Sequence, residues 1–285
     1  VRSGFVALAG RPNVGKSTLV NQLCGAKVAI VTDKPQTTRH RVQGVRTGAD
    51  YQLVLVDLPG FQRPRDALTE RMQRRVEYAL EDVDAILFVL AAGEEVGAGD
   101  RFIASRVFAG ATPVVVALNK VDRVGPPRIA TDVQAAAGLG EFTALHPVSA
   151  ATGDGLDSLR DELVALLPKG PMYFPPDELT DLPLELRVAE LVREKALELT
   201  REEIPHAIIV DVEELGQRRV EAVVYVETES QKQIVIGKGG RMIKSIGTRS
   251  RPEIELLLGH SIFLDLRVKV RRWRRDEALL DRLGL

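Results

Sequence analysis

Alternating strand-like and helix-like segments, cut once by a proline-rich stretch, predict an α/β domain with a mainly parallel sheet and helices on both faces, then a smaller α+β domain. Two observations carry the first domain. Apolar runs at residues 5–9, 51–56, 85–90, 113–118 and 143–148 alternate with helix-period stretches near 69–81, 100–108 and 155–167, and a glycine-rich octapeptide fills the turn between the first strand and the first helix. The third observation divides the chain. Pro168, Pro171, Pro175, Pro176 and Pro183 crowd a stretch with little apolar periodicity, so residues 171–183 read as a stiff linker between domains at 1–170 and 184–285.

A chain of 285 residues is long enough for two cores, and 45% hydrophobic with 28% charged residues suits a globular protein. Cys24 is the one cysteine, so no internal disulfide exists, and a small buried thiol just after the first helix is its expected role. No apolar run approaches the ~18 residues of a spanning helix. No secretory leader is visible from Val1 onward, and a cytoplasmic, monomeric protein is expected.

The octapeptide is GRPNVGKS, from Gly10 to Ser17. Gly10 and Gly15 let backbone N–H groups close around a triphosphate, and the positive end of the following helix adds to that field. Lys16 neutralises the outer phosphates and the Ser17 hydroxyl reaches magnesium, with Asn13, Val14 and Thr18 completing the candidate nucleotide contacts. Residues 32–40 are polar, contain a proline and lack periodicity, as a nucleotide-sensing loop requires; Thr38 is the candidate metal hydroxyl, and spacing alone does not exclude Thr37. A hairpin at 42–46 and 51–56 ends in Asp57-Leu58-Pro59-Gly60, about 40 residues after the octapeptide. There Asp57 would hold magnesium through a water, and the Gly60 amide would face the γ-phosphate. The strand at 113–118 delivers Asn119-Lys120-Val121-Asp122. The Asp122 carboxylate matches the two donors on guanine that adenine lacks, Asn119 braces the loop, and the Lys120 stem covers the base. Ser149-Ala150, at the end of the last strand, lets backbone amides approach the guanine oxygen. The nucleotide expected is GTP.

GRPNVGKS, PQTTRHR, DLPG, NKVD and SAATG together resemble a translation-factor-type GTPase of the bacterial Era family. The resemblance implies Thr38 as the second protein ligand of magnesium and a catalytic set of Lys16, Thr38 and Gly60. It gives Asn13 two readings, a plain loop residue or a residue that helps hold potassium, as in related potassium-dependent GTPases. Phe61 stands where Ras-type proteins carry the glutamine that orients the attacking water. Phe61 moves no proton and Gln62 lies one position late, so slow hydrolysis is expected until potassium, RNA or the ribosome supplies what is missing.

In the second domain a helix at 184–200 precedes two strands, 207–212 and 220–226, paired across Gly216-Gln217. Residues 234–236 read as a strand running into Gly237-Lys238-Gly239-Gly240, with an amphipathic helix after it. This order resembles the type II KH module, a binder of unpaired RNA. In that module Gly237 and Gly240 let phosphates pass closely, Lys238 and Arg241 add charge, and Ile236 and Ile243 floor a groove for about four nucleotides. Between Gln231 and Arg275, 4 Lys and 8 Arg face 2 Glu and 1 Asp, so a chain of net charge −1 carries a strongly basic segment. Gly239, Lys244, Arg271 and Arg272 join the RNA candidates. Trp273 has two roles open, stacking on a base or capping the strand against a last helix at 276–283.

Proteins of this family bind the 3′ region of 16S rRNA during 30S subunit assembly, and the resemblance implies that partner. A weak peripheral membrane contact through the basic segment is a further expectation. Two functions remain: a GTP-hydrolysing switch acting on RNA, or an RNA-binding assembly factor stabilised by GTP with negligible hydrolysis. A third, a Der-type GTPase, is disfavoured by the intact glycine loop and the missing second GTPase domain.

Overall fold

The computed structural model describes residues 1–34, 37–39, 41–60 and 67–283. They form two compact units, one of Val1–Ala29 with Thr38–Asp181, the other of Ile30–Thr37 with Leu182–Leu285.

The first unit runs β1 (Arg2–Ala9), α1 (Lys16–Cys24), β2 (Val42–Thr47), β3 (Tyr51–Asp57), α2 (Ala67–Glu81), β4 (Ala85–Ala91), α3 (Ala98–Val107), β5 (Val114–Asn119), α4 (Pro126–Ala137), β6 (Ala144–Pro147) and α5 (Leu156–Leu166). Its sheet has the order β2-β3-β1-β4-β5-β6, parallel throughout except for the β2–β3 hairpin. Successive side chains of β1 face opposite ways, and both directions are buried. Val6 and Leu8 pack with Leu19 and Leu23 of α1 and Leu159 and Leu163 of α5. Ala7 and Ala9 join the other core, with Val76 and Leu80 of α2 and Ile103 and Val107 of α3. This double burial explains the continuous apolar runs, since a strand covered on both faces needs no polar alternation. The parallel strands bring the C-terminal ends of β1, β3 and β5 to one edge, where ligands bind in open α/β sheets. Cys24 is buried as expected, and burial lifts its thiol to about 12.

The proline-rich stretch expected as a linker packs on this unit. The buried Gln52 amide donates to the Phe174 carbonyl at 2.9 Å and accepts from the N–H groups of Tyr173 (2.8 Å) and Phe174 (2.9 Å). The Tyr173 ring meets Phe5 edge-on at 4.8 Å. Farther along, the Val45 N–H donates to the Leu179 carbonyl and Gly44 bridges Thr180, so the stretch covers the outer edge of β2. Proline content announces that no helix forms; it says nothing about pairing on a strand edge.

The second unit runs α6 (Leu184–Leu199), α7 (Ile204–Ala207), β7 (Ile209–Leu215), β8 (Arg219–Val226), α8 (Glu229–Ile236), α9 (Arg241–Leu258), β9 (Phe263–Val270) and α10 (Glu277–Arg282). β8 is central, antiparallel to β7 and parallel to β9. Val188 and Val192 of α6, Val224 of β8, and Ile246 and Ile254 of α9 share the core. Within this unit the Val31 N–H donates to Glu194, and Arg193, held at 2.6 Å by Glu190, donates to the Thr37 carbonyl.

Two expectations are corrected here. Residues 234–236 end a helix rather than a strand. Thr228 accepts from the Gln231 N–H at 3.3 Å while the Gln231 side chain accepts from the Glu227 and Thr228 N–H groups, a capping box that starts α8. The β-branched run Ile234-Val235-Ile236 suggested a strand, but the cap and the burial of Val235 decide for a helix. Trp273 is wholly buried and its indole N–H donates to the Ala207 carbonyl at 2.8 Å, so it belongs to the core and is unavailable for stacking on a base.

Candidate functional site

The glycine-rich octapeptide leaves β1 and closes on the N-terminus of α1. A Cβ at Gly15 would lie 2.3 Å from Asn119 Nδ2, and its φ of +101° disfavours other residues. Only glycine lets the two loops touch. Lys16 is buried, and its Nζ donates to the carbonyls of Gly10 (3.0 Å) and Arg11 (2.9 Å). Burial lowers its ammonium to about 8, with Asp57 pulling the other way.

Three oxygen-bearing side chains from three separate segments meet beside it. Ser17 Oγ lies 2.9 Å from Thr38 Oγ1 and donates to Asp57 Oδ2 at 2.6 Å, and Thr38 Oγ1 is 3.4 Å from the same oxygen. Thr37 is elsewhere: its hydroxyl bonds Thr32 and the Lys34 carbonyl at 2.6 Å, so of the two threonines it is Thr38 that lies beside Ser17 and Asp57. Asp57 is wholly buried, its pKa raised by that burial, and its Oδ1 has no hydrogen-bond partner among the described residues. An orphaned buried carboxylate oxygen beside two hydroxyls suits magnesium, which binds oxygen and retains waters. Among the described residues no cluster of three His, Cys, Asp or Glu offers another metal site. Gly60 follows at the end of β3, close to Pro12 of the phosphate loop, since an added Cβ there would stand 3.1 Å from its ring. Phe61 and Gln62 lie outside the described residues.

The candidate base-reading loop, Asn119 to Asp122, is tied to the octapeptide twice. Asn119 Nδ2 donates to the Val14 carbonyl at 2.9 Å, and Lys120 Nζ donates to the Asn13 carbonyl at 2.5 Å. Asp122 Oδ1 accepts from the Ser149 hydroxyl at 2.6 Å, which holds the carboxylate in one orientation. The Ala150 N–H, expected near the guanine oxygen, donates to Asn119 Oδ1 at 2.9 Å. Thr18, on the first turn of α1, follows the metal candidate directly. The sequence reading missed the roles of Ser149 toward Asp122 and of Arg11, whose guanidinium donates to Asp100 (2.8 Å) and Glu94 (2.7 Å). No short motif signals either contact.

The second candidate surface is the turn between α8 and α9. The Gly240 N–H donates to the Gly237 carbonyl at 3.0 Å, and a Cβ on Gly237 would stand 2.7 Å from that of Met242. Gly239 and Gly240 meet nothing, so the backbone there is open to a close-passing chain. Lys238, Arg241 and Lys244 are exposed around it, and Ile236 and Ile243 are half-buried. Arg271 and Arg272 lie at the opposite end of α8, about 12 Å away by helix length: the Arg271 N–H donates to Val226 and the Arg274 N–H to Glu227, next to the start of α8. Arg271 is bound by Asp276 at 2.5 Å, whereas Arg272 is exposed. Cations on the sheet are largely neutralised, with Lys269 on Glu213 and Arg267 on Glu221 and Asp265.

Residues 5–120 match the family model described as 50S ribosome-binding GTPase, and residues 203–274 match the KH domain model. The chain is similar to a variant of Aquifex aeolicus Era bound to GDP and aluminium fluoride, with 39% identity, a TM-score of 0.93, and coverage of 100% of this chain and 99% of that one. It is equally similar to Era in complex with MgGDPNP and nucleotides 1506–1542 of 16S ribosomal RNA, at 39% identity, TM-score 0.93, and the same coverage.

Proposed function

The chain belongs to the Era family of GTPases, and from that premise we propose that it is a GTP-hydrolysing switch that binds the 3′ region of 16S rRNA through its KH unit. The observation that supports this best is the meeting of Ser17 and Thr38 on one oxygen of the buried Asp57, whose other oxygen has no hydrogen-bond partner among the described residues. That set suits Mg·GTP.

In this reading the triphosphate replaces the carbonyl groups now held by Lys16, and the ammonium, costly when buried without an anion, gains its counter-charge. Ser17 and Thr38 would hold magnesium directly and Asp57 through a water, and the ion would supply positive charge to the phosphates. Gly60 donates its N–H to the γ-phosphate. Asp122, fixed by Ser149, accepts from the two guanine donors, and the Lys120 stem lies along the base. Phe61, the residue directly after Gly60, carries no group that can orient or deprotonate water, so we assign activation of turnover to bound RNA, the 30S subunit or potassium near Asn13.

The basic loop around Lys238 and Arg241 is given to RNA rather than to a membrane surface. Among the described residues no helix is long and apolar enough to cross a membrane. A monomer acting in 30S assembly, in the cytoplasm where rRNA is made, completes the proposal. The test is GTP turnover in potassium and in sodium, each with and without a 3′ fragment of 16S rRNA. The switch predicts turnover raised by the fragment. Turnover near zero under all conditions favours the GTP-stabilised binder.

A further inference from the structure

Among the described residues three non-glycine positions adopt left-handed backbone: Asn13 (φ 64°), Lys120 (φ 68°) and Glu202 (φ 56°). Two of them are bonded to each other, since Lys120 Nζ donates to the Asn13 carbonyl at 2.5 Å. One belongs to the phosphate loop and the other to the base-reading loop. Such conformations persist only where the surroundings over-determine them.

The surroundings are supplied by the loop between β4 and α3, which no motif covers. Glu94 Oε2 accepts from Arg11 Nη2 at 2.7 Å, and its Oε1 lies 3.7 Å from Lys120 Nζ. One carboxylate therefore holds a cation from each nucleotide loop. Asp100, 1% exposed, accepts from Arg11 Nε at 2.8 Å and from the Gly97 N–H at 3.0 Å. The loop is itself pinned. The Gly93 N–H donates to the buried Asp132 at 2.8 Å, and the Ala92 N–H donates to the Asn119 carbonyl at 2.7 Å. The stem of Arg11 lies against the first turn of α3, where a Cβ on Gly99 would stand 3.0 Å from its Cδ.

We propose that Glu94 and Arg11 are positioning residues for the nucleotide. The β4–α3 loop braces the phosphate loop against Lys120, fixes the spacing between phosphate and base contacts, and so sets how long a guanine nucleotide stays bound. This rests on the guanine-nucleotide reading of the site. In this proposal both act through Asn13 and Lys120. Loss of the brace raises the dissociation rate more than it changes association, as is usual for contacts that tune one interface.

The experiment is release of N-methylanthraniloyl-GDP from the full chain, chased with unlabelled GDP at low and high KCl. Glu94→Gln keeps an acceptor for Arg11 but removes the charge shared with Lys120. Release about two- to fivefold faster than wild type is expected at low salt, the range of a solvent-exposed ion pair. Because the Glu94 side chain is 48% exposed, the difference should vanish at high salt, which a merely structural defect would not do. Arg11→Lys, which keeps a charge beside buried Asp100 but lacks the fork that reaches both carboxylates, should also release faster at low salt. Wild-type release from Glu94→Gln at low salt, or an acceleration equal at both salts, would overturn the brace. Failure of the wild-type chain to bind the labelled GDP would instead remove the guanine reading and the brace with it.

Discussion

The nucleotide site and the glycine turn of the KH unit solve opposite problems. Around the octapeptide the key side chains already have partners: Lys16 on two carbonyls, Asn119 on the Val14 carbonyl and Ala150 N–H, Asp122 on Ser149. Around Gly237–Gly240 the backbone is bare, and Lys238 and Lys244 reach into solvent. A compact ligand is recognised by buried groups set in advance, because an unmatched one is costly. A flexible, charged polymer is met by exposed cations and a close-passing backbone, where counterion release supplies much of the affinity. The two regions should therefore fail differently when disturbed.

The largest expected effect lies in neither site. Trp273→Ala removes a wholly buried indole and strands the Ala207 carbonyl, so we expect a loss of about 3–5 kcal/mol of stability in denaturant unfolding of the KH unit. RNA affinity of the folded fraction should be unchanged; unaltered stability with weakened RNA binding would restore the stacking role. Next comes Gly237→Asp. A side chain there collides with Met242, takes up left-handed backbone at φ +73° and sets a negative charge against phosphate. RNA affinity should fall roughly a hundredfold, about 3 kcal/mol, with GTP binding intact by calorimetry.

A smaller effect separates the sites by pH. In the nucleotide-free protein Lys16 sits near 8, so above that pH its ammonium begins to lose its proton, whereas a triphosphate favours the charged form. GTP binding should take up a proton above pH 8 and weaken by up to about tenfold per unit there, while below pH 8 it should be flat. Calorimetry in buffers of different ionisation heat reads this directly, and proton release on binding would contradict it. RNA binding has no such buried group and should respond to salt instead. Lys244→Ala, the mildest change, should lower the logarithmic salt slope by about 0.7. An unchanged slope would place Lys244 outside the RNA path.

These differences also explain what was legible in the sequence. Gly10 to Ser17 and Asn119 to Asp122 are contiguous, and each residue type has a local chemical reason, so the nucleotide loops read directly from spacing. Thr38 was the candidate from the sequence and the family resemblance, but spacing alone left Thr37 open, and the fold is what sets the two hydroxyls apart. The helix α8 was hidden because Ile234, Val235 and Ile236 have strand character, although Thr228 and Gln231 carried the capping signal. Trp273 sat among arginines in sequence, yet its surroundings are set by α7 and the sheet, which no local pattern reports. Gln52 pinning the proline-rich stretch, and Glu94 bracing two loops, are contacts between residues far apart in the chain.

The central claim is that the two sites are coupled in one chain. The most direct test is the affinity of the full chain for a 3′ fragment of 16S rRNA, measured with GDPNP and magnesium, then with GDP. The account predicts tighter binding in one nucleotide state by several-fold or more, because a ligand shifts an equilibrium only through differential affinity. Equal affinity in both states would contradict it and leave two independent sites on one polypeptide.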